Sequence, residues 1–284
     1  MKMNIIWYPG HMKKTMESIQ ESLKLADFII VLLDARIPWS SKNPMLEEII
    51  VHKPKLYLLN KADLADPNIT KCWIKGIEED EYSLAMEWTS THGQNKNKIV
   101  DRAEELLSEK RKIEASKGMN ERKLRAMVTG IPNVGKSTFI NQISGIKGTK
   151  TGNRPGVTKT NQWIRAHEKL DLLDTPGILW PKLDPPIRGK HLAFTGSIKD
   201  EIMDIETIAY ELVRESLGSF KELLFNRYDI KEDLKDPIAI MDAIGIRRGA
   251  LLKKGEIDYT KVSHIIMDEF RSGQMGRISL ERPK

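Results

Sequence analysis

Three short runs hold the residues best suited to chemistry. In the first, Gly130-Ile-Pro-Asn133-Val134-Gly135-Lys136-Ser137-Thr138, the spacing is G-x-x-x-x-G-K-[ST]. Glycines let the backbone curl so that its N–H groups face phosphates, and a helix beginning at Lys136 adds favourable partial charge. Lys136 would reach the β- and γ-phosphates and Ser137 would ligate Mg2+. The run lies between an apolar strand pattern, Leu124–Thr129, and an apolar helical one, Lys136–Ile143, the context that validates it as a phosphate loop.

The second run, Leu170-Asp-Leu-Leu-Asp174-Thr-Pro-Gly177, is a strand pattern ending in a carboxylate. Asp174 can hold the Mg2+ shell, and Gly177 can offer its N–H to the γ-phosphate. Thr158, in Arg154-Pro-Gly-Val-Thr158, is the candidate to close over Mg2+ when that phosphate is present. The third run, Asn60-Lys61-Ala62-Asp63, follows the apolar stretch Lys55–Leu59. A carboxylate at Asp63 can accept from a guanine N1–H and exocyclic amine, a pair adenine does not present. Asn60 can bond the base edge, and the Lys61 stem can lie over the ring. Ser90 and Thr91 are expected to complete the pocket with backbone N–H groups. The expected ligands are GTP and GDP with Mg2+.

These runs need a scaffold. Phe28–Leu33 and Lys55–Leu59 read as strands buried on both faces, with further strands at 82–89, 124–129, 162–166 and 169–173. Helical stretches lie between them, so the expected class is α/β with a largely parallel sheet and helices on both faces. Residues 35–44 and 110–125 read as connections. Beyond Pro181 the stretches 205–215, 220–227, 237–244 and 261–271 show helical spacing without strand-like runs, which divides the chain into 1–182, the nucleotide domain, and 183–284, an all-helical domain, with 272–284 expected to fray. Guanine-nucleotide folds usually begin with the phosphate loop and end with the base motif, whereas here the base motif comes first. Loops projecting from one sheet edge tolerate such a circular permutation. It also leads the chain from Gly177 directly into the C-terminal helices, a route by which nucleotide state can act on them.

The chain has 284 residues, 30% charged and 40% apolar, the balance of a water-soluble globular protein. Its longest apolar run is too short to span a bilayer, and its start lacks a secretory pattern, so a cytosolic location is expected. One cysteine excludes an internal disulfide and a zinc ribbon. Residues 185–284 are charge-balanced, so the net charge of +6 resides before them and favours a polyanionic partner. Arg247-Arg248 and Lys253-Lys254 are the C-terminal candidates for RNA contact, and Lys110–Arg125 is a further one.

The motif order, together with Trp7-Tyr-Pro-Gly-His11-Met and Asp34-Ala-Arg-Ile-Pro38, resembles the ribosome biogenesis GTPase A family over nearly the whole chain. The resemblance implies a circularly permuted GTPase acting late in assembly of the large ribosomal subunit, with that particle and its ribosomal RNA as partners and as stimulus for hydrolysis. A monomer is expected, with neither membrane nor DNA as partner. Ser90-Thr91 departs from the Ser-Ala more usual in the family. No side chain after Gly177 can position water, since Ile178, Leu179 and Trp180 follow, so slow intrinsic hydrolysis is expected. The resemblance points to His11 for that task, with helix capping or RNA contact as the alternative roles. It also points to Asn133 as a K+ ligand beside the phosphates. Two other readings stay open: a GTPase for another RNA or a small-subunit precursor, and a nucleotide-gated RNA scaffold.

Overall fold

The computed structural model describes residues 9–90, 96–145, 163–198, 200 and 203–283, with side chains of the first helix from residue 16 on. The chain runs α1 (Pro9–Leu25), β1 (Phe28–Asp34), α2 (Pro38–Ser41), α3 (Pro44–Ile50), β2 (Lys55–Asn60), a 3-10 turn (Ala62–Leu64), α4 (Pro67–Ile77) and β3 (Ser83–Glu87). It continues through α5 (Asn97–Leu106), α6 (Ser108–Ser116), β4 (Leu124–Gly130), α7 (Lys136–Ser144), β5 (Trp163–His167) and β6 (Leu170–Asp174). The remaining described elements are helices: α8 (Pro186–Phe194), α9 (Ile205–Ser219), α10 (Lys221–Tyr228), α11 (Pro237–Arg248) and α12 (Tyr259–Arg271).

Among the described residues six strands form one sheet in the order β3-β2-β1-β4-β6-β5. All pairings are parallel except the β5–β6 hairpin. Every residue of β1 and β2 is buried, which explains their unbroken apolar runs. The pleat sends Phe28, Ile30 and Leu32 of β1 to one face, with Leu56, Leu58, Ala126 and Val128 of its neighbours. Ile29, Val31 and Leu33 face the other side, against α1, α3 and α4. The first of these cores is continuous with Ile208, Ile244 and Phe270, so the C-terminal helices share one apolar interior with the sheet.

Helix starts follow local chemistry. Asn43, Asp66 and Asp236 each accept backbone N–H bonds as N-caps ahead of Pro44, Pro67 and Pro237, whose fixed φ suits a first helical position.

Four expectations change. Residues 38–41, read as loop, form α2; Ser41 Oγ accepts from Asp34 N at 3.1 Å and donates to Pro38 O at 3.2 Å. Residues 110–116 of the stretch read as a connection belong to α6, which buries no residue. It is held by charge instead: the buried Asp27 carboxylate receives Lys110 at 2.8 Å and Arg122 at 2.6 Å. Helix α8 lacked a clear periodic signal. The residues after 272 are docked rather than frayed, with Met275 and Ile278 buried and Leu280 N donating to Arg36 O at 2.9 Å.

One buried network fastens this C-terminal stretch. The Glu281 carboxylate accepts Ser40 N at 3.2 and 3.1 Å, receives the Ser40 hydroxyl, and meets His191 Nδ1 at 2.7 Å. His191 Nε2 lies 2.9 Å from Glu215 Oε1. Burial lowers the His191 pKa, but hydrogen bonds and charge from Glu215 and Glu281 outweigh it and push the pKa up to about 9. The folded pKa is raised, so this contribution is complete below about pH 6.5 and lost as pH rises through about 9. Denaturant unfolding at pH 6 and pH 10 should show wild type losing up to ~3 kcal/mol more than His191→Ala across that interval.

Candidate guanine-nucleotide site

In a parallel sheet every strand delivers its last residue to the same edge. Asp34 and Asn60 are register partners at the ends of β1 and β2, and Val128 of β4 pairs with Asp174 at the end of β6. The strand order reverses direction between β1 and β4, the crevice where open α/β sheets bind ligands.

The phosphate loop leaves β4 at Gly130, where a Cβ would sit 2.7 Å from Leu32 O. Gly135, at φ 100°, caps α7, a conformation that favours glycine. Lys136 opens α7 with its Nζ 3.5 Å from Gly130 O. Burial pushes the Lys136 pKa down, and the Asp174 carboxylate works against that shift. Ser137 is half-buried and Thr138 exposed on the same first turn. Thr175 pins the second motif, with N and Oγ1 both donating to Val128 O at 3.2 and 2.8 Å. Gly177 then passes so close that a Cβ would lie 2.8 Å from Lys136 Nζ and 3.1 Å from Pro132. Asn43 Nδ2 donates to Ile178 O at 3.1 Å, and Leu179 and Trp180 turn into the core. The three residues after Gly177 therefore serve packing, in keeping with the absence of a water-orienting side chain there.

Asn60 is a brace inside the protein: its Nδ2 donates to Val134 O at 2.7 Å, and its Oδ1 accepts from Ser90 N at 3.1 Å and Ser90 Oγ at 2.9 Å. Its amide oxygen is thus committed to Ser90 and the Ser90 N–H to Asn60, while one Nδ2 hydrogen remains for the expected bond to a base edge. The amide ties the phosphate loop to the loop after β3. Lys61 sits in the left-handed region at φ 58°, and its ammonium meets Asp34 Oδ2 at 3.0 Å. Asp63, in the 3-10 turn, is exposed.

Three further residues matter here. Asp34 is fully buried and receives Arg36 through two bonds of 2.9 and 2.8 Å. Its pKa is driven down despite the opposing effect of burial, by the charges of Arg36 and Lys61 and by hydrogen bonds from Arg36. The signal was present as a carboxylate closing an apolar strand two residues before an arginine. Asn133, at φ 57°, donates from Nδ2 to Gly196 O at 2.8 Å, joining the phosphate loop to the end of α8. Thr91 and Thr158 lie outside the described residues, as does the side chain of His11, whose backbone belongs to α1.

The family described as 50S ribosome-binding GTPase matches residues 125–219. Ribosome biogenesis GTPase A of Bacillus cereus is 44% identical over 99% of this chain and 95% of its own length. That of Bacillus licheniformis is 44% identical over 99% of each. The chain belongs to the ribosome biogenesis GTPase A family. A solved GDP-bound structure of TM YlqF, 25% identical, superposes with a TM-score of 0.65 over 94% of this chain and 99% of that one. As a family member the chain is a GTP-binding P-loop GTPase, with a mostly parallel sheet followed by a helical C-terminal region.

Arg247 bonds Asp229 O and Glu232, and Arg248 meets Glu269 and the Tyr228 ring, so both are tied within the helical region. Lys24, Lys53, Lys110, Arg122, Lys123 and Arg125, several of them from the other candidate stretch 110–125, line one cleft at the opposite, amino-terminal edge of the sheet, where Lys110 and Arg122 pair with Asp27 and Lys123 with Asp171. No described helix is long and apolar enough to cross a membrane.

The Asn60 brace sets a clear expectation. Asn60→Ala should destabilise the nucleotide-free protein by roughly 2–3 kcal/mol in denaturant unfolding, because buried donor and acceptor groups lose their partner. A residue serving only the base would leave nucleotide-free stability unchanged.

Proposed function

We propose that this chain drives a late step in assembly of the large ribosomal subunit in the cytoplasm, docking with GTP bound and leaving after hydrolysis. The observation that carries the reading is the meeting of Asn60–Asp63, Gly130–Thr138 and Asp174–Gly177 at one sheet edge, in a chain collinear with relatives named for ribosome biogenesis. The large subunit is favoured over another RNA by the 50S ribosome-binding description of the matched family.

The cradle fits a nucleotide triphosphate. A Cβ at Gly177 would crowd the Lys136 ammonium and the Pro132 backbone, and its absence lets backbone N–H groups and the ammonium close directly on phosphate oxygens. In this reading Asp63 accepts from guanine N1–H and amine, while Val134, Gly135, Lys136 and Thr138 surround the phosphates. Ser137 and Asp174, joined by Thr158, would hold Mg2+, which neutralises charge on the phosphate oxygens. The Asn133 amide oxygen would ligate K+, supplying charge where an arginine would otherwise act. His11 orients or deprotonates the attacking water. Asn60 bonds the base edge while it braces the loops, the Lys61 stem lies over the ring, and Ser90 and Thr91 border the base. Residues 1–182 form the nucleotide domain, and 183–284 the helical domain that senses its state through Gly177 and Asn133. The protein works as a monomer. The amino-edge lysines and arginines would meet ribosomal RNA phosphates, to which such charges bind with steep salt dependence.

Hydrolysis by the purified protein should be slow alone and strongly raised by isolated large subunits but not small ones. Stimulation by neither would remove the partner. Under stimulation, His11→Ala should lower kcat by about 10²–10⁴-fold, the usual contribution of a proton-transfer group. In matched ionic strength the rate should be higher in KCl than in NaCl, and that difference should vanish in Asn133→Ala.

A further inference from the structure

The turn carrying Asp63 is not held by its own strand alone. Ala62–Leu64 make a single 3-10 turn, closed by Leu64 N donating to Lys61 O at 2.9 Å and by a longer bond from Ala65 N to Ala62 O at 3.4 Å, which leaves the Leu64 and Ala65 carbonyls to be met from outside it. Donors for them arrive from the far end of the chain. Arg277 Nε donates to Ala65 O at 2.7 Å and Arg277 Nη2 to Ala62 O at 2.8 Å, across 212 and 215 residues. Ile278 N donates to Leu64 O at 2.9 Å. Just beyond the turn, Asp66 N donates to Ser279 Oγ at 3.1 Å, and Trp73 Nε1 to Glu281 O at 3.1 Å. Gly273, at φ 76°, allows the closest approach, since a Cβ there would meet Leu64 Cδ2 at 2.6 Å.

Asp63 itself is exposed and makes no hydrogen bond among the described residues. Its carboxylate position is therefore set by the backbone of the turn. On one side Ala62 N donates to Trp88 O at 3.1 Å, and Lys61 is tethered to Asp34. On the other side the turn's own bond, Ala65 N to Ala62 O, is long, and the shorter ones come from residues 277 and 278.

We propose that residues 277–281 are a strap that positions the guanine-recognising turn, with Arg277 as its positioning residue. The proposal rests on the reading of Asp63 as the carboxylate that binds the guanine N1–H and amine. Base selectivity then depends on how well the strap is seated, and the strap is seated through Glu281 on α2, α8 and α9. The helical region thereby acquires a route to the base end of the site, separate from its links to the phosphate end at Asn133 and Gly177. By linkage, a bound guanine nucleotide must also tighten the strap.

The test compares GDP with inosine diphosphate, which lacks the exocyclic amine, by titration calorimetry on the full chain. Asp63→Asn should abolish the preference for GDP. Arg277→Ala should weaken GDP about tenfold and inosine diphosphate less, shrinking the preference, because the carboxylate loses its placement. KM for GTP should rise while kcat at saturation holds, and Arg277→Lys should restore part of the preference. Arg277 is exposed, so its truncation opens no cavity. In wild type, hydrogen exchange at the Ile278 amide should slow when GDP binds. An unchanged preference in Arg277→Ala, alongside its loss in Asp63→Asn, would overturn the strap and leave the Asp63 reading intact. Equal weakening of both nucleotides would overturn it as well. An unchanged preference in Asp63→Asn would overturn the reading of Asp63 and the strap with it.

Discussion

A carboxylate with no exposed surface stands at the end of the central strand, and much of the site is arranged around it. Removing Asp34 from water carries a large desolvation cost, which is met only because Arg36 grips it through two hydrogen bonds and Lys61 adds a second charge. That demand fixes both cations. Lys61 is thereby held in a left-handed backbone conformation, at the start of the turn that carries Asp63. Arg36 lies 5.5 Å over the Phe270 ring of α12, and its carbonyl receives the strap at Leu280. One buried charge thus binds the base turn, the last helix and the C-terminal stretch into a single arrangement.

Asn60 has the corresponding role for neutral groups. Standing beside Asp34 in register, it spans from the phosphate loop to the loop after β3. The two ends of a nucleotide would be gripped by loops distant in the chain, and a single buried amide keeps those loops in step. Removing one partner of such a bond costs more than the bond contributes, because the other groups stay buried and unmet. The phosphate loop is tied at a second point, through Asn133 to Gly196. Arg271 fixes that neighbourhood by donating to Ala193 O and Phe194 O and pairing with Asp200. The phosphate end and the base end therefore each have their own connection to the helices.

Much of this was legible in the chain alone. The unbroken apolar runs of β1 and β2 announced strands covered on both faces, and the alternation with helices announced a parallel sheet. The glycine spacing around Lys136 and the Asp174-Thr-Pro-Gly177 turn placed the site's parts without coordinates. What was not legible falls into one class. Helix α6 has no apolar stripe, because charge pairing with Asp27 holds it in place of packing. The stretch after 272 has no periodicity, because its bonds are backbone and guanidinium contacts to a turn hundreds of residues earlier. Arg247 and Arg248 read as free cations, since nothing local marks Glu232 or Glu269 as their partners.

The sequence by itself determined the phosphate-loop and base motifs, the permuted order in which they occur, and the family to which they belong. Those properties rest on local requirements: a glycine where backbone must close on phosphate, a carboxylate at the end of a buried strand. Only the tertiary structure decided that Asn60 is a brace, that Lys61 answers Asp34, and that the C-terminal stretch holds the Asp63 turn. Each of those is a polar bond between distant segments. Its geometry exists only after burial has excluded water as the competing partner.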